Sequence, residues 1–100
     1  MWLSEAKGLS HQLGSRGIHV NTVSPGGILT ESFLDKLNVR AEQRMRTQDE
    51  QIQAETSNIP LKRYGQPEEV ASLIAYLLSD KSQHISGANI TIDGGFTTSY

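Results

Sequence analysis

Residues 18–30, IHVNTVSPGGILT, decide how this chain is read. Ile18, Val20, Thr22 and Val23 are β-branched residues in a short run bounded by Gly17 and Pro25, which predicts a buried strand over residues 18–24. Pro25 cannot donate to a sheet ladder, and Gly26 and Gly27 permit positive φ and let another molecule approach bare backbone. Thr30 is placed to cap a following helix. A strand that ends in a glycine turn and leads into a helix is where open α/β sheets bind ligands, outside the carboxyl ends of their strands. Residues 25–30 are therefore a site candidate, although the same residues would also make an ordinary strand-to-helix connection.

Upstream, Trp2, Ala6, Leu9 and Leu13 fall on one helical stripe, predicting an amphipathic helix over residues 1–14 with Gly14 as its left-handed cap. Downstream, Phe33, Leu34 and Leu37 form a short apolar face. The stretch from Asn38 to Asn58 then carries Arg40, Glu42, Arg44, Arg46, Asp49, Glu50 and Glu55 around only Val39, Met45 and Ile52. Residues 31–58 are expected to be a helical excursion with little to bury, either a solvated face or a lid over a pocket.

The clearest helix spans residues 66–79. Pro67 suits its first turn, Glu68 and Glu69 favour the positive end of its dipole, and Val70, Leu73, Ile74, Leu77 and Leu78 follow the helical period. Burial of that face is expected to contribute about 1.5–3 kcal/mol per residue. A second strand is predicted over residues 88–92, ended by Asp93, Gly94 and Gly95, with Arg63 available to pair with Asp93. Helix, strand, helical excursion, helix and strand make an α/β chain with a parallel sheet.

Composition narrows the function. The 100 residues carry a formal net charge of -2, so there is no basic footprint for nucleic acid. Cysteine is absent, which removes disulfides and thiolate metal sites and fits a reducing compartment. No apolar run reaches the roughly 18 residues that cross a bilayer, and a cytoplasmic protein with no membrane partner is expected. His11, His19 and His84 have no spacing that would gather them around a metal.

Three segments, VNTVSPGGILT, IPLKRYGQPEEVASLIAYLLSD and HISGANITIDGG, resemble the closing third of the short-chain dehydrogenases/reductases, of the classical 3-oxoacyl reductase-like kind, in the same order and with similar spacing. The resemblance implies the C-terminal portion of a doubly wound Rossmann-type parallel sheet that binds NAD or NADP, and hydride transfer between the nicotinamide and a carbonyl or alcohol. It also implies that Pro25, Gly26, Gly27 and Ile28 face the nicotinamide, with Ile28 backbone meeting its carboxamide and Thr30 near its polar edge. Phe33, Leu34 and Leu37 would belong to the substrate loop, for which core packing is the competing explanation.

The sequence departs from the family in two respects. Its tyrosines, Tyr64, Tyr76 and Tyr100, start no Tyr-x-x-x-Lys pair, and its glycines form no G-x-G-x-x-G turn. No catalytic residue and no metal ligand is therefore assigned. The resemblance places the missing pair just before Met1, so the chain is expected to be a fragment that does not catalyse alone. Its expected partners are further copies of itself, through the 66–79 helix and the last strand, or a complementing N-terminal half. The alternative is a non-catalytic interaction protein that pairs with a full-length reductase or a separate N-terminal half.

Overall fold

The computed structural model describes residues 2–97. Its elements run α1 (Trp2–Leu13), β1 (Thr22–Pro25), α2 (Glu31–Gln43), α3 (Gln48–Thr56), α4 (Pro67–Leu77) and β2 (Asn89–Ile92), with short 3-10 turns at Gly14–Arg16 and Asp80–Ser82. β1 and β2 form a two-stranded parallel sheet. The chain is α/β, and it divides into two compact units. One holds the residues up to Ser24 together with Val70–Thr91, and the other holds Pro25–Glu69 together with the residues from Ile92 onward.

In the first unit, the Gly87 N–H donates to Val20 O at 2.7 Å and the Thr22 N–H to Ala88 O at 2.8 Å. Asn21 ties the two segments a second time, donating through Nδ2 to Ile85 O and accepting from the Ala88 N–H. Residues 18–21, expected within the strand, are irregular because their polar groups turn to the 83–88 loop: the Val20 N–H donates to Ser86 Oγ and the His19 ring to Gln83 O. The left-handed cap expected at Gly14 lies at Gly17, with φ 74°, after the 3-10 turn. The side chain of Trp2, expected on the α1 stripe, lies outside the described residues.

α4 keeps its expected register but buries none of its residues. Ile74 is 42% exposed and Leu78 83% exposed. Two strands of four residues offer a platform only about 10 Å wide, which is too narrow to cover a three-turn apolar stripe. Val70, Leu73 and Leu77 are half-buried, so the expected stabilisation from burial along this face is realised only in part.

The second unit holds the core, and it lies where the sequence reads as charged. Leu37, Ala41 and Ile59 are the buried hydrophobic side chains among the described residues, joined by buried Gln51 and Thr56. Thr30 caps α2 by accepting from the Phe33 N–H, and Thr47 and Glu50 form a reciprocal capping box on α3. Residues 31–58 thus form two packed helices and the turn between them, on which Glu42, Arg44, Arg46, Asp49 and Glu50 are exposed, as expected of a solvated face. One pair of charges bridges the helices: Arg40 on α2 forks onto Glu55 of α3 at 2.6 and 2.8 Å.

Candidate functional site

At the end of β1 the Gly26 N–H donates to Ile92 O at 2.9 Å. Gly27 then adopts φ 67°, a conformation that side chains other than glycine rarely take. A β-carbon built there would stand 2.9 Å from Cδ1 of Tyr64. The next residues pair with the segment before α4, where the Gly65 N–H donates to Gly27 O and the Leu29 N–H to Gly65 O, both at 2.9 Å. In this parallel bridge the bonds belong to the residues flanking Ile28, so the N–H of Ile28 is turned away from Gly65. Its carbonyl accepts from the Thr30 N–H.

The turn opens on a cavity of about 380 Å³. Gly26 and Gly27 line it together with Phe33, Ile59, Tyr64 and Phe96, and with the acids Glu55 and Asp93. Phe33 meets Tyr64 edge to face, with ring centroids 4.9 Å apart and planes at 75°. The Tyr64 hydroxyl donates to Glu55 Oε1 at 2.7 Å, and Gln51 Nε2 donates to Glu55 Oε2 at 2.6 Å. With the Arg40 fork, the Glu55 carboxylate receives four donors.

This network sets the protonation of its members. The Arg40 guanidinium, helped by Gln51 and Tyr64, holds the Glu55 carboxyl down to about 2. Burial first, and then the adjacent Glu55 carboxylate, pushes the Tyr64 phenol up to about 12. Across the cavity, Asp93 accepts from the Gly95 and Thr97 N–H groups at 3.0 and 2.9 Å, and the Thr97 contact leads in lowering its pKa.

Of the expected site residues, Gly26, Gly27 and Phe33 come together on the cavity wall. Pro25 is exposed, Ile28 packs over Gly65, and the Thr30 hydroxyl caps α2. Leu34 is half-buried away from this wall, and Leu37, expected to line a pocket, is fully buried in the core between helices. Arg63 does not pair with Asp93. It forks onto Glu69 at 2.8 and 3.1 Å, so a residue assigned to the helix dipole also holds an ion pair.

Sequence reasoning missed Glu55, Tyr64, Asp93 and Phe96. One signal for the last was present: the chain has only two phenylalanines, and both face this cavity. Among the described residues no helix is long and apolar enough to cross a membrane, and no three His, Asp or Glu side chains gather as a metal site.

A family model described as enoyl-(acyl carrier protein) reductase matches residues 3–97. The chain is 42% identical over 89 residues to the 3-oxoacyl-(acyl-carrier-protein) reductase FabG of Rickettsia conorii, a match that covers 89% of this chain and 32% of the relative. Among solved structures, a short-chain dehydrogenase family protein of Francisella tularensis superposes with a TM-score of 0.83 at 37% identity, over 94% of this chain and 39% of that one. YwfH, an NADPH-dependent reductase involved in bacilysin biosynthesis, superposes with a TM-score of 0.77 at 35% identity, over 98% of this chain and 37% of that one. The chain spans about a third of the length of the curated relatives it matches. With its α/β order, parallel strand pair and glycine turn, it belongs to the short-chain dehydrogenase/reductase family.

Proposed function

We propose that this chain supplies the nicotinamide-facing turn and the substrate cavity of an NAD(P)-dependent oxidoreductase that moves a hydride between the cofactor and a carbonyl or alcohol. The observation that carries the proposal is the bare Gly26-Gly27 backbone opening on an aromatic-lined cavity, with the Ile28 N–H turned out of its bridge. These features fit a flat amide-bearing ring: the glycines admit it closely, and a free N–H can fix which face of the ring is presented. The YwfH relative, itself NADPH-dependent, supports the cofactor class. When bound, NAD(P) would supply the hydride.

The residues of this chain position the reactants. Pro25 and Gly26 end the strand, Gly27 allows the turn, Ile28 offers the N–H, and Tyr64 holds the turn from behind. The phosphate-cradling turn and the Tyr-x-x-x-Lys proton donor are not among these 100 residues, so the chain is inactive by itself.

Calorimetric titration with NADH and with NADPH tests this directly. No saturating heat is expected from the chain alone. NADPH oxidation with a carbonyl substrate is expected once the segment of the Rickettsia reductase that precedes the matched region is added, and Gly27→Val in the present chain should abolish it. Saturating heat at micromolar cofactor from the chain alone would overturn the assignment of inactivity.

A second reading, in which the chain is an interaction protein, is favoured by α4. Its open face, with Ile74 42% exposed and Leu78 just beyond its end 83% exposed, suits a second copy or a complementing N-terminal half. Sedimentation of the purified chain distinguishes a self-associating species from a monomer that waits for a different partner.

A further inference from the structure

We infer that the cavity beside Gly26 and Gly27 takes an uncharged carbonyl compound with an apolar or aromatic body, and excludes phosphorylated and polyhydroxylated substrates. This rests on the assignment of that cavity to the substrate, and deepens it.

The inference comes from how the wall spends its charges. Two carboxylates face the cavity, which at first sight suits a cation or a sugar. Glu55 is not available, and Asp93 keeps only half of its acceptor capacity. Glu55 already accepts from Arg40 Nε, Arg40 Nη2, Gln51 Nε2 and the Tyr64 hydroxyl, which fills its four lone-pair positions. Asp93 accepts the Gly95 N–H on one oxygen and the Thr97 N–H on the other, which leaves one lone-pair position open on each. Arg40 is the cation next to this wall, and its fork is closed on Glu55 while its guanidinium carbon lies 5.9 Å from the Phe33 ring centroid. An anion would have to break that fork. A sugar could place at most two hydroxyls on Asp93 and would press the rest against an apolar wall, where an unpaired buried hydroxyl is costly.

What the wall does offer is apolar area. Phe33, Tyr64 and Ile59 form one side, and Phe96 stands 60% exposed at the opening, where a ligand would cover it. The Tyr64 oxygen donates to Glu55 and keeps one lone pair, and Thr97 carries a hydroxyl at the exposed rim. Few polar groups on an apolar wall, within about 380 Å³, match a small ketone in which a single polar atom is attached to a ring or short chain.

The test is a titration of the isotope-labelled 100-residue chain, followed by amide NMR, with acetophenone, glucose and glucose 6-phosphate as probes and with no cofactor present. Acetophenone is expected to shift the amides of Gly26, Gly27, Tyr64 and Phe96 in a saturable manner, while the two sugars leave them in place. Phe96→Ser, a change at an exposed position that does not endanger folding, should weaken acetophenone about tenfold, the loss expected for part of an aromatic contact. Failure of acetophenone to shift these amides, or equal shifts from either sugar, overturns the inference. Selective ketone binding without reconstitution of NADPH oxidation would instead sink the proposed function and leave this selectivity standing. Reconstitution with an unselective cavity would do the reverse.

Discussion

The Tyr64 hydroxyl donates to Glu55 Oε1 at 2.7 Å, and that bond holds the ring whose edge stands 2.9 Å from where a β-carbon on Gly27 would sit. One carboxylate on α3 therefore fixes, through one ring, the space behind the glycine turn. The contact runs from the helix pair that the sequence presents as solvated to the backbone proposed to face the cofactor.

The two adjacent glycines of that turn differ in what they tolerate. Gly27→Ala carries both a left-handed backbone penalty of about 1–2 kcal/mol and a clash with the Tyr64 ring. Gly26 has no positive φ, and its β-carbon would meet only Asp93 Cβ at 3.4 Å, so Gly26→Ala should cost less than about 1 kcal/mol. Urea unfolding of both variants checks the order, and equal losses would refute the role given to Tyr64.

Glu55→Gln leaves Arg40 without its counter-charge and weakens four hydrogen bonds at once. The Arg40 side chain is 41% exposed, so screening reduces the loss to about 1–2 kcal/mol. The exposed Arg63–Glu69 pair is the control, and Glu69→Gln should leave the stability nearly unchanged. Chemical denaturation of the two variants side by side separates the hub from an ordinary surface pair.

Stability should fall at both ends of the pH scale for opposite reasons. The Glu55 carboxyl is lowered from 4.5 to about 2, so its contribution is complete above 4.5 and is lost as pH falls toward 2. Glu50, Glu69 and Asp93 are also lowered, by Thr47, Arg63 and Thr97 respectively, and act in the same direction. The Tyr64 phenol is raised from 10.0 to about 12, so its contribution is complete below 10 and is lost as pH rises toward 12. Thermal melts across pH should show both limbs in the native chain. Tyr64→Phe should flatten the alkaline limb while keeping most of the acid one.

Leu37 in α2 and Leu78, just past the end of α4, should respond in opposite ways to truncation. Leu37 is fully buried between packed helices, and Leu37→Ala should cost about 2–5 kcal/mol. Leu78 is largely exposed, and Leu78→Ala should change the stability of the isolated chain by less than about 0.5 kcal/mol. If α4 is a docking face, Leu78→Glu will abolish association in sedimentation while leaving the melting temperature of the monomer unchanged.

The features determined by the sequence alone are those encoded within a few residues. The helical period of residues 70–78 specifies α4, the Thr30 hydroxyl reaches three residues forward to start α2, and Pro25-Gly26-Gly27 must end a strand because proline lacks the donor and the glycines permit the turn. Three such signals in the right order were enough to indicate the family. Tertiary structure alone decided which side chains are buried and which face the cavity. Arg40, Glu55 and Tyr64 are separated by 15 and 9 residues, and nothing local to any of them shows that they share hydrogen bonds. Unpaired, these charges belong in water; paired across α2, α3 and the loop before α4, they form one hydrogen-bonded network in the unit whose buried apolar side chains are Leu37, Ala41 and Ile59. The apolar stripe of α4 stays open for the complementary reason, since periodicity states which face of a helix seeks cover, while the area of the neighbouring sheet sets how much it receives.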